Sequence, residues 1–302
     1  MSFHYQAFGI PIISEIALPA LLPLDTPQPE NPVYVQLGQI PDIDTDGFVH
    51  ADTNAFCTPT QMIYTVTGKI KFYISGGNSI IIEPTTSNYS ANLIYFYSNC
   101  LAAILYQRNL IPFHVSGVFT AENKVALFAA PSGTGKSTMA VKLQELGYKP
   151  FTDDTAVLYI EDGKCYAQAS YPMIRVWQNT IGEQTLLNEN DKQRLYEHDE
   201  WDKFGFSFHE QFTTKPAEVQ HIIFLKAEGQ TMQIKPIKKI EAFKQLADNV
   251  YRCHWVPALK KNVQQFQLIS NILHVVPFVS ATRPEHTNSH KEFPLIIKKI
   301  LN

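Results

Sequence analysis

The residues with the clearest chemical meaning lie at 130–138, where the sequence reads Ala-Pro-Ser-Gly-Thr-Gly-Lys-Ser-Thr after a short apolar run. A strand that leads through a glycine-rich loop into a helix is the arrangement of a phosphate-binding P-loop. Gly133 and Gly135 let the backbone curl so that its N–H groups point at an anion, which the positive end of the helix dipole also attracts. Lys136 then reaches the β- and γ-phosphates, and Ser137 offers its hydroxyl to Mg²⁺. The motif predicts a nucleoside triphosphate site formed by Ser132, Gly133, Thr134, Gly135, Lys136, Ser137 and Thr138.

Several classes of P-loop protein require further motifs that this chain lacks. GTPases carry an N-K-x-D motif after the loop, and none is present. ABC ATPases carry S-G-G-Q after the loop, whereas the nearest string here, at 75–78, precedes it and is predicted to be a hairpin turn. Nucleoside monophosphate kinases use an arginine-rich lid, and this chain contains only five arginines.

An acidic pair, Asp153-Asp154, follows the loop after one predicted helix and one short strand. A strand–helix–strand crossover returns beside the first strand, so both carboxylates are expected at the sheet edge that carries the loop. An Asp-Asp-Thr turn that merely starts a hairpin would be the simpler interpretation of this string on its own. Next to a P-loop, the pair is predicted to act on the phosphates.

The elements that must position these residues are predicted from periodicity and turn residues. The first part of the chain is β-rich, with strands at 33–37, 62–66, 70–74 and 79–82 in the pattern of an antiparallel meander, closed by a buried helix at about 89–106. The P-loop and acidic pair are framed by strands at 113–119, 125–129 and 149–152 and by a helix at 136–146 that ends at Gly147. Further predicted elements are a hairpin at 156–160 and 165–169, strands at 221–226 and 275–280, and helices at about 240–251 and 263–273.

Composition is typical of a folded globular chain, with 302 residues, 45% hydrophobic residues and a net charge of −3. Lysine and arginine are scattered, so no nucleic-acid partner is predicted. The four cysteines are far apart and suggest neither a zinc site nor a disulfide framework. The start lacks a basic signal-peptide region, and the longest apolar stretch, at 91–105, is too short to span a bilayer. We therefore expect a cytoplasmic protein without a membrane partner.

Three segments, at 105–114, 125–137 and 147–154, resemble the HPr kinase/phosphorylase family. They are most similar to the HPr-kinase-like serine kinases of ribosomal (lasso-type) peptide biosynthesis. The shared features are a histidine before the loop strand, an S-G-x-G-K-S loop and an Asp-Asp pair after the first helix. The resemblance covers about residues 105–180, and the β-rich first part is similar to the front domain of the peptide-modifying branch. Two features depart from the family: Ala130 replaces the first loop glycine, and the C-terminal signature for recognising HPr is missing.

The resemblance implies an α+β or α/β fold in which a β-rich domain (1–104) precedes a P-loop catalytic domain (105–302). This second domain is expected to be HPr-kinase-like and related to phosphoenolpyruvate carboxykinase, with a mixed sheet and flanking helices. The resemblance also implies ATP and Mg²⁺ as cofactors. Lys136 would neutralise phosphate charge, Asp153 would be the catalytic base, and Ser137 and Asp154 would hold the metal; the two aspartates could exchange roles. His114 would contact the γ-phosphate or tether an aspartate, unless it is a polar residue satisfied within its strand. Arg175 would clamp phosphate or a substrate carboxylate, unless it is an ordinary surface arginine.

These features together predict a kinase that transfers phosphate from ATP to a serine hydroxyl of a peptide or small protein. A kinase for free serine or another small hydroxyl compound, and a non-catalytic ATP-binding regulator, are the alternatives. An exposed edge of the β-rich domain could add a peptide strand. The aromatic residues Trp201, Phe204, Phe206 and Phe208 could form a peptide-binding wall, although core packing is the simpler interpretation. The sequence does not exclude a homo-oligomer.

Overall fold

The computed structural model consists of two large mixed β-sheets, a small three-stranded sheet and the helices that pack on them. It describes residues 2–25, 29–86, 89–177, 193–194, 203–285 and 291–301. The α-helices in these ranges are Leu93–Tyr95, Leu101–Gln107, Lys136–Glu145, Lys239–Asp248, Asn262–Val275 and Glu292–Leu301, with 3₁₀ turns at Ser90–Asn92, His209–Gln211 and Cys253–Trp255. Over the same ranges, no helix is long and apolar enough to cross a lipid bilayer. The mixed helix-and-strand fold class is confirmed at this level.

The first sheet contains the predicted meander but is not antiparallel throughout. Its strand order is Leu22–Pro23, Phe3–Ala7, Ile10–Ser14, Val33–Leu37, Ser79–Pro84, Ile70–Ser75, Gln61–Val66, Ala55–Thr58 and Val49–His50. The strand Val33–Leu37 is parallel to both of its neighbours, which corrects the prediction. The proline-rich connection before Val33 is long enough to carry the chain back across the sheet, as a parallel pairing requires.

The helical segment that closes the first sheet is one continuous run in the sequence prediction but is interrupted in the structure. A wider π-type turn at Phe96–Cys100 separates Leu93–Tyr95 from Leu101–Gln107. The hydrophobic pattern does not reveal this turn, because nearly every residue of the segment is buried. The predicted domain boundary at 104/105 falls inside Leu101–Gln107, and the division into two domains stays a prediction.

The second sheet holds the glycine-rich loop (residues 130–135) at one of its edges. Its strands run in the order Pro112–Phe113, Ala156–Glu161, Lys164–Ala169, Ala217–Ala227, Val125–Ala129, Val115–Phe119 and Pro150–Thr152, with Phe278–Arg283 beside Ala217–Ala227 and Gln233–Pro236 beside Phe278–Arg283. We call Val125–Ala129 the loop strand, Val115–Phe119 the adjacent strand and Pro150–Thr152 the return strand. The loop strand is fully buried, as its unbroken apolar sequence predicts.

The return strand does not lie beside the loop strand, which corrects the predicted crossover. It pairs with the adjacent strand, which forms an antiparallel hairpin with the loop strand and so occupies the neighbouring position. Because the adjacent strand is antiparallel to both others, its start lies at the same sheet edge as their ends. The glycine-rich loop and the acidic pair therefore lie at the same sheet edge, as predicted, although the adjacent strand separates the two strands that carry them.

The predicted strand at 113–119 is broken at His114. Pro112–Phe113 pairs with Ala156–Glu161, whereas Val115–Phe119 pairs with the loop strand. Between them, the His114 N–H donates to the Asn249 carbonyl at 2.7 Å, so the chain changes partners at this residue.

A second difference concerns the predicted strand at 275–280. The preceding helix continues to Val275, Pro277 prevents its continuation, and the strand is Phe278–Arg283.

The two halves of the chain share one hydrophobic cluster, to which both large sheets contribute buried residues. Three long-range hydrogen bonds accompany it. The Phe8 N–H donates to the Ser170 carbonyl at 2.7 Å, the Tyr106 hydroxyl to the Tyr251 carbonyl at 2.7 Å, and the Trp255 Nε1–H to Asp52 at 2.6 Å. The first sheet therefore packs directly against the elements that carry the predicted site.

Candidate active site

The glycine-rich loop has the local conformation that its sequence predicts. The loop strand leads into it, and the loop helix (Lys136–Glu145) begins at its end. Gly133 and Gly135 have φ angles of +83° and +106°, a region that side chains with a Cβ rarely adopt. Ala130 is not among the described residues with positive φ, which explains why alanine is tolerated where the family pattern has glycine.

The backbone of the loop presents donors to the space above it. The Thr134 N–H donates to the Pro131 carbonyl at 3.3 Å, whereas the N–H groups of Ser132, Gly133 and Gly135 have no hydrogen-bond partner within the described residues. Donors at the start of a helix in this arrangement suit an anion. Lys136 is only 6% exposed, and its ammonium donates to the Ala130 carbonyl at 2.7 Å, so its charge lies over the loop.

Asp153, at the end of the return strand, is held by two protein donors. Its Oδ1 accepts from the Ser116 hydroxyl at 2.5 Å, and its Oδ2 accepts from the Arg175 backbone N–H at 2.8 Å. The residue is 3% exposed. These two hydrogen bonds fix the orientation of the carboxylate. Asp153 therefore anchors the site to the adjacent strand and to the strand that carries Arg175.

Asp154 has a more open position and an unusual backbone. Its φ is +69°, in the left-handed region that residues other than glycine rarely adopt. Its Oδ2 accepts from the Arg175 guanidinium at 2.8 Å, and its Oδ1 lies 3.7 Å from Nε2 of His114. Its side chain is 13% exposed. Of the two carboxylates, Asp154 is the one a ligand can reach.

Arg175 is buried at 4% exposure, which excludes the interpretation as a surface arginine. It belongs to the strand Met173–Trp177, in which alternate residues face opposite sides. Ile174 and Val176 pack on Val141 of the loop helix, so Arg175 faces the acidic pair on the other side. Its guanidinium also donates to the Tyr171 hydroxyl. Burial raises the pKa of the Tyr171 phenol above its usual range, so the group is a neutral partner for the cation.

The structure thus brings His114, Asp153, Asp154 and Arg175 into one contact network, and places Ser132 to Thr138 at the same sheet edge. The sequence analysis missed Ser116 and Tyr171. Ser116 lies on the adjacent strand two residues after His114, and in the continuous strand predicted from the sequence this spacing was the available signal. Tyr171 has no local signal, since its role depends on a contact with Arg175.

The predicted aromatic segment is part of the core where it is described. Phe206 is buried, and Phe204 and Phe208 pack on the cluster of Val141, Ile174 and Val176. Core packing, the simpler interpretation, therefore applies to these three residues. Trp201 lies outside the described residues.

Loss of the Arg175 side chain is expected to destabilise the fold, because it would leave the mostly buried Asp154 carboxylate without its charged partner. For Arg175→Gln we expect the free energy of unfolding to fall by about 3 kcal/mol, at the lower limit for a buried pair because Asp154 is partly exposed. Urea titration of this variant, of Asp154→Asn and of the double variant measures the coupling. The double variant should lose less than the sum of the two single losses, and strict additivity would contradict an Arg175–Asp154 ion pair.

No protein-family model matches this chain, and no curated protein matches it. Among solved structures, the chain is similar to the HPr(Ser) kinase/phosphatase from Coxiella burnetii, with 11% identity and a TM-score of 0.32. The match covers 63% of this chain and 87% of that chain. A likeness at this level says nothing about substrate or mechanism. The relation to the HPr kinase family, and to its lasso-type peptide branch, stays a prediction carried by the sequence motifs.

Proposed function

We propose that the protein is a P-loop phosphotransferase that moves the γ-phosphoryl group of Mg-ATP to a serine hydroxyl of a peptide or small protein. The observation that carries this proposal is the convergence of two features at one sheet edge. One is a loop whose N–H groups at Ser132, Gly133 and Gly135 have no partner within the described residues. The other is the carboxylate pair with its bound arginine. Phosphoryl transfer requires anion binding and charge neutralisation at such a site.

In this proposal, the loop and Lys136 hold the phosphates and neutralise their charge. The contacts of the acidic pair favour Asp154, and not Asp153, as the base, in addition to the place beside the metal that the family resemblance implies for Asp154. Both oxygens of Asp153 accept hydrogen bonds from the protein, so Asp153 positions the network. Asp154 is the carboxylate presented to the ligands, where it orients the acceptor hydroxyl and takes its proton. Arg175 and His114 position Asp154.

The residues at this edge fit a magnesium ion. Mg²⁺ prefers oxygen ligands and is usually held by one or two protein oxygens together with phosphate oxygens and water. Ser137 and Asp154 supply such oxygens, and the described residues contain no cluster of three or more His, Cys, Asp or Glu that would form an all-protein cage. When bound with the nucleotide, the ion neutralises phosphate charge.

The first test is nucleotide binding. We expect Lys136→Ala to weaken Mg-ATP binding by about a hundredfold or more, since one charge-assisted contact to phosphate is worth roughly 1.5–3 kcal/mol and Lys136 also orders the loop. Calorimetry measures the affinity. Lys149→Ala, which removes an exposed lysine just after the loop helix, is the control and should bind normally. Unchanged affinity in the Lys136 variant would reject the phosphate site.

The acceptor is tested separately, by mass spectrometry of serine peptides encoded beside the gene after incubation with Mg-ATP. Phosphate on a peptide serine supports the proposal. Phosphate on free serine, with the peptides unmodified, would assign the protein to the small-molecule kinases. ATP binding without transfer to either acceptor would favour the non-catalytic regulator. The peptide partner, the cytoplasmic location and the oligomeric state stay predictions.

A further inference from the structure

An exposed apolar surface lies on two neighbouring helices, Lys239–Asp248 and Asn262–Val275. It contains the three most exposed large apolar side chains of the described residues, which are Ile240 at 78%, Val263 at 70% and Phe266 at 61%. Single exposed apolar residues are normal on a protein surface, whereas a contiguous group of them is typical of an interaction site. The arrangement of these three side chains therefore decides whether the surface has a function.

The exposed side chains form one strip across the two helices. Ile240 shares a helix face with Phe243, because residues three apart are neighbours on a helix surface. Val263 and Phe266 have the same spacing on the second helix. The rings of Phe243 and Phe266 lie 5.4 Å apart, so the two faces are joined. We call these four side chains the helix strip.

Positive charge borders the helix strip. Lys239 and Lys244 are exposed and lie one helical turn from members of the strip, so they flank it. The carboxylate of Glu241, which lies between them in the sequence, binds Lys226 at 3.1 Å. Residues 235–261 contain seven lysines and arginines and two acidic residues, although the net charge of the whole chain is −3. An apolar surface with a positive border suits a partner that carries acidic residues beside an apolar face.

The first of the two helices leads from the helix strip to the candidate active site. The Asn249 carbonyl, directly after this helix, accepts from the His114 N–H at 2.7 Å, and the ring of Tyr251 lies 5.8 Å from the ring of His114. Phe243 precedes Asn249 by about 9 Å along the helix axis. A peptide that lies on the strip and continues past the end of this helix therefore reaches His114 and Asp154 within a few extended residues.

We infer that the helix strip docks the acceptor peptide through an acidic segment with apolar side chains, separate from the serine that is phosphorylated. The inference rests on the proposed function and adds the chemical class of the acceptor. An amphipathic helix that lays its apolar face on such a surface is a common mode of peptide recognition. A second copy of this chain is a poorer partner, because a twofold contact would bring the lysines of both copies together.

Two matched synthetic peptides test the inference. Each has about sixteen residues, long enough for an amphipathic helix, with leucine at every third or fourth position and a serine near one end. The remaining positions are glutamate in one peptide and lysine in the other. Fluorescence anisotropy, measured without nucleotide, should show that the wild-type protein binds the glutamate peptide at least about tenfold more tightly.

A change of charge on the helix strip should abolish this preference. The double variant Ile240→Glu/Val263→Glu should weaken binding of the glutamate peptide at least about tenfold. Both positions lie in the first turn of their helices, where the helix dipole favours a carboxylate, so the fold should stay intact. Val49→Glu, at a 48% exposed valine in the first sheet, is the matched control and should change this affinity by less than about twofold.

The outcomes separate the inference from the proposed function, because peptide binding is measured without Mg-ATP. Equal affinity for the two peptides, or unchanged affinity in Ile240→Glu/Val263→Glu, overturns the docking site and leaves the phosphate site intact. Failure of the wild type to bind Mg-ATP, with peptide binding as expected, would reject the proposed function instead. Should the double variant not fold, Lys239→Gln/Lys244→Gln decides, since it should weaken the glutamate peptide at least about threefold. Unchanged affinity in that variant overturns the inference.

Two other occupants of the helix strip would be recognised in the same samples. If the wild type bound phosphatidylserine vesicles and the double variant lost only that binding, the strip would be a membrane surface. If the wild type were a dimer by light scattering and the double variant a monomer, with equal affinity for the glutamate peptide, the strip would be a contact between copies of this chain. Either result overturns the docking of an acidic peptide.

Discussion

Replacing Asp154 with asparagine is expected to lower the rate of phosphoryl transfer by about two to four orders of magnitude, the usual contribution of a general base. The side chain keeps its shape but loses the charge that accepts the hydroxyl proton in the proposed mechanism. Mg-ATP affinity should change by much less, because the proposal assigns most of the phosphate contacts to the loop and Lys136. Single-turnover transfer to the acceptor peptide measures the rate, and calorimetry on the same sample measures the affinity.

Asp153→Asn is the matched comparison. Asparagine can keep its oxygen toward the Arg175 N–H, and its NH₂ group then faces the Ser116 hydroxyl, which has to turn from donor to acceptor. We expect the free energy of unfolding to fall by about 1–3 kcal/mol, with a smaller loss of turnover than in Asp154→Asn. A larger turnover loss in Asp153→Asn at unchanged stability would restore the roles implied by the family resemblance.

The parts of the site that could be predicted from sequence are those set by local conformation. The strand, glycine-rich loop and helix follow from consecutive residues, and the positive φ angles of Gly133 and Gly135 match the residue type. The position of the acidic pair at the loop edge also follows, because a short crossover from a parallel strand has few possible routes. The adjacent strand lies between the loop strand and the return strand, but the acidic pair still reaches the predicted sheet edge.

The remaining parts depend on contacts between residues distant in sequence. The break at His114 requires the carbonyl of Asn249, and the relative exposure of Asp153 and Asp154 depends on Ser116 and Arg175. Strand periodicity shows that Arg175 alternates with apolar neighbours, but it does not show which face meets the acidic pair. Alternation with apolar residues usually indicates an exposed face, but both faces of the strand Met173–Trp177 are buried where they are described. This is why the sequence left a surface position for Arg175 open.

Removal of residues 1–104 is expected to abolish cooperative folding of the remaining chain. The two large sheets contribute to one hydrophobic cluster, and truncation would expose the side of it that the first sheet covers. It would also remove Phe8 and Tyr97, whose rings lie 6.4 Å and 5.8 Å from the ring of Tyr171. Thermal unfolding followed by calorimetry measures the loss. A truncated chain with a sharp transition and normal Mg-ATP affinity would instead establish 104/105 as a true domain boundary.

A point variant separates this packing role from global unfolding. Tyr97→Ala should lower the free energy of unfolding by about 3–5 kcal/mol, as for other buried aromatic residues, and lower the transfer rate through Tyr171 and Arg175. Tyr34→Ala, in the first sheet and 49% exposed, is the control and should change stability by less than about 0.5 kcal/mol. Because Tyr171 contacts the guanidinium that holds Asp154, the transfer rate of folded Tyr97→Ala should fall more than its Mg-ATP affinity. If the transfer rate and the Mg-ATP affinity fell equally, Tyr97 would stabilise the fold as a whole and would not act on Asp154 through Tyr171 and Arg175.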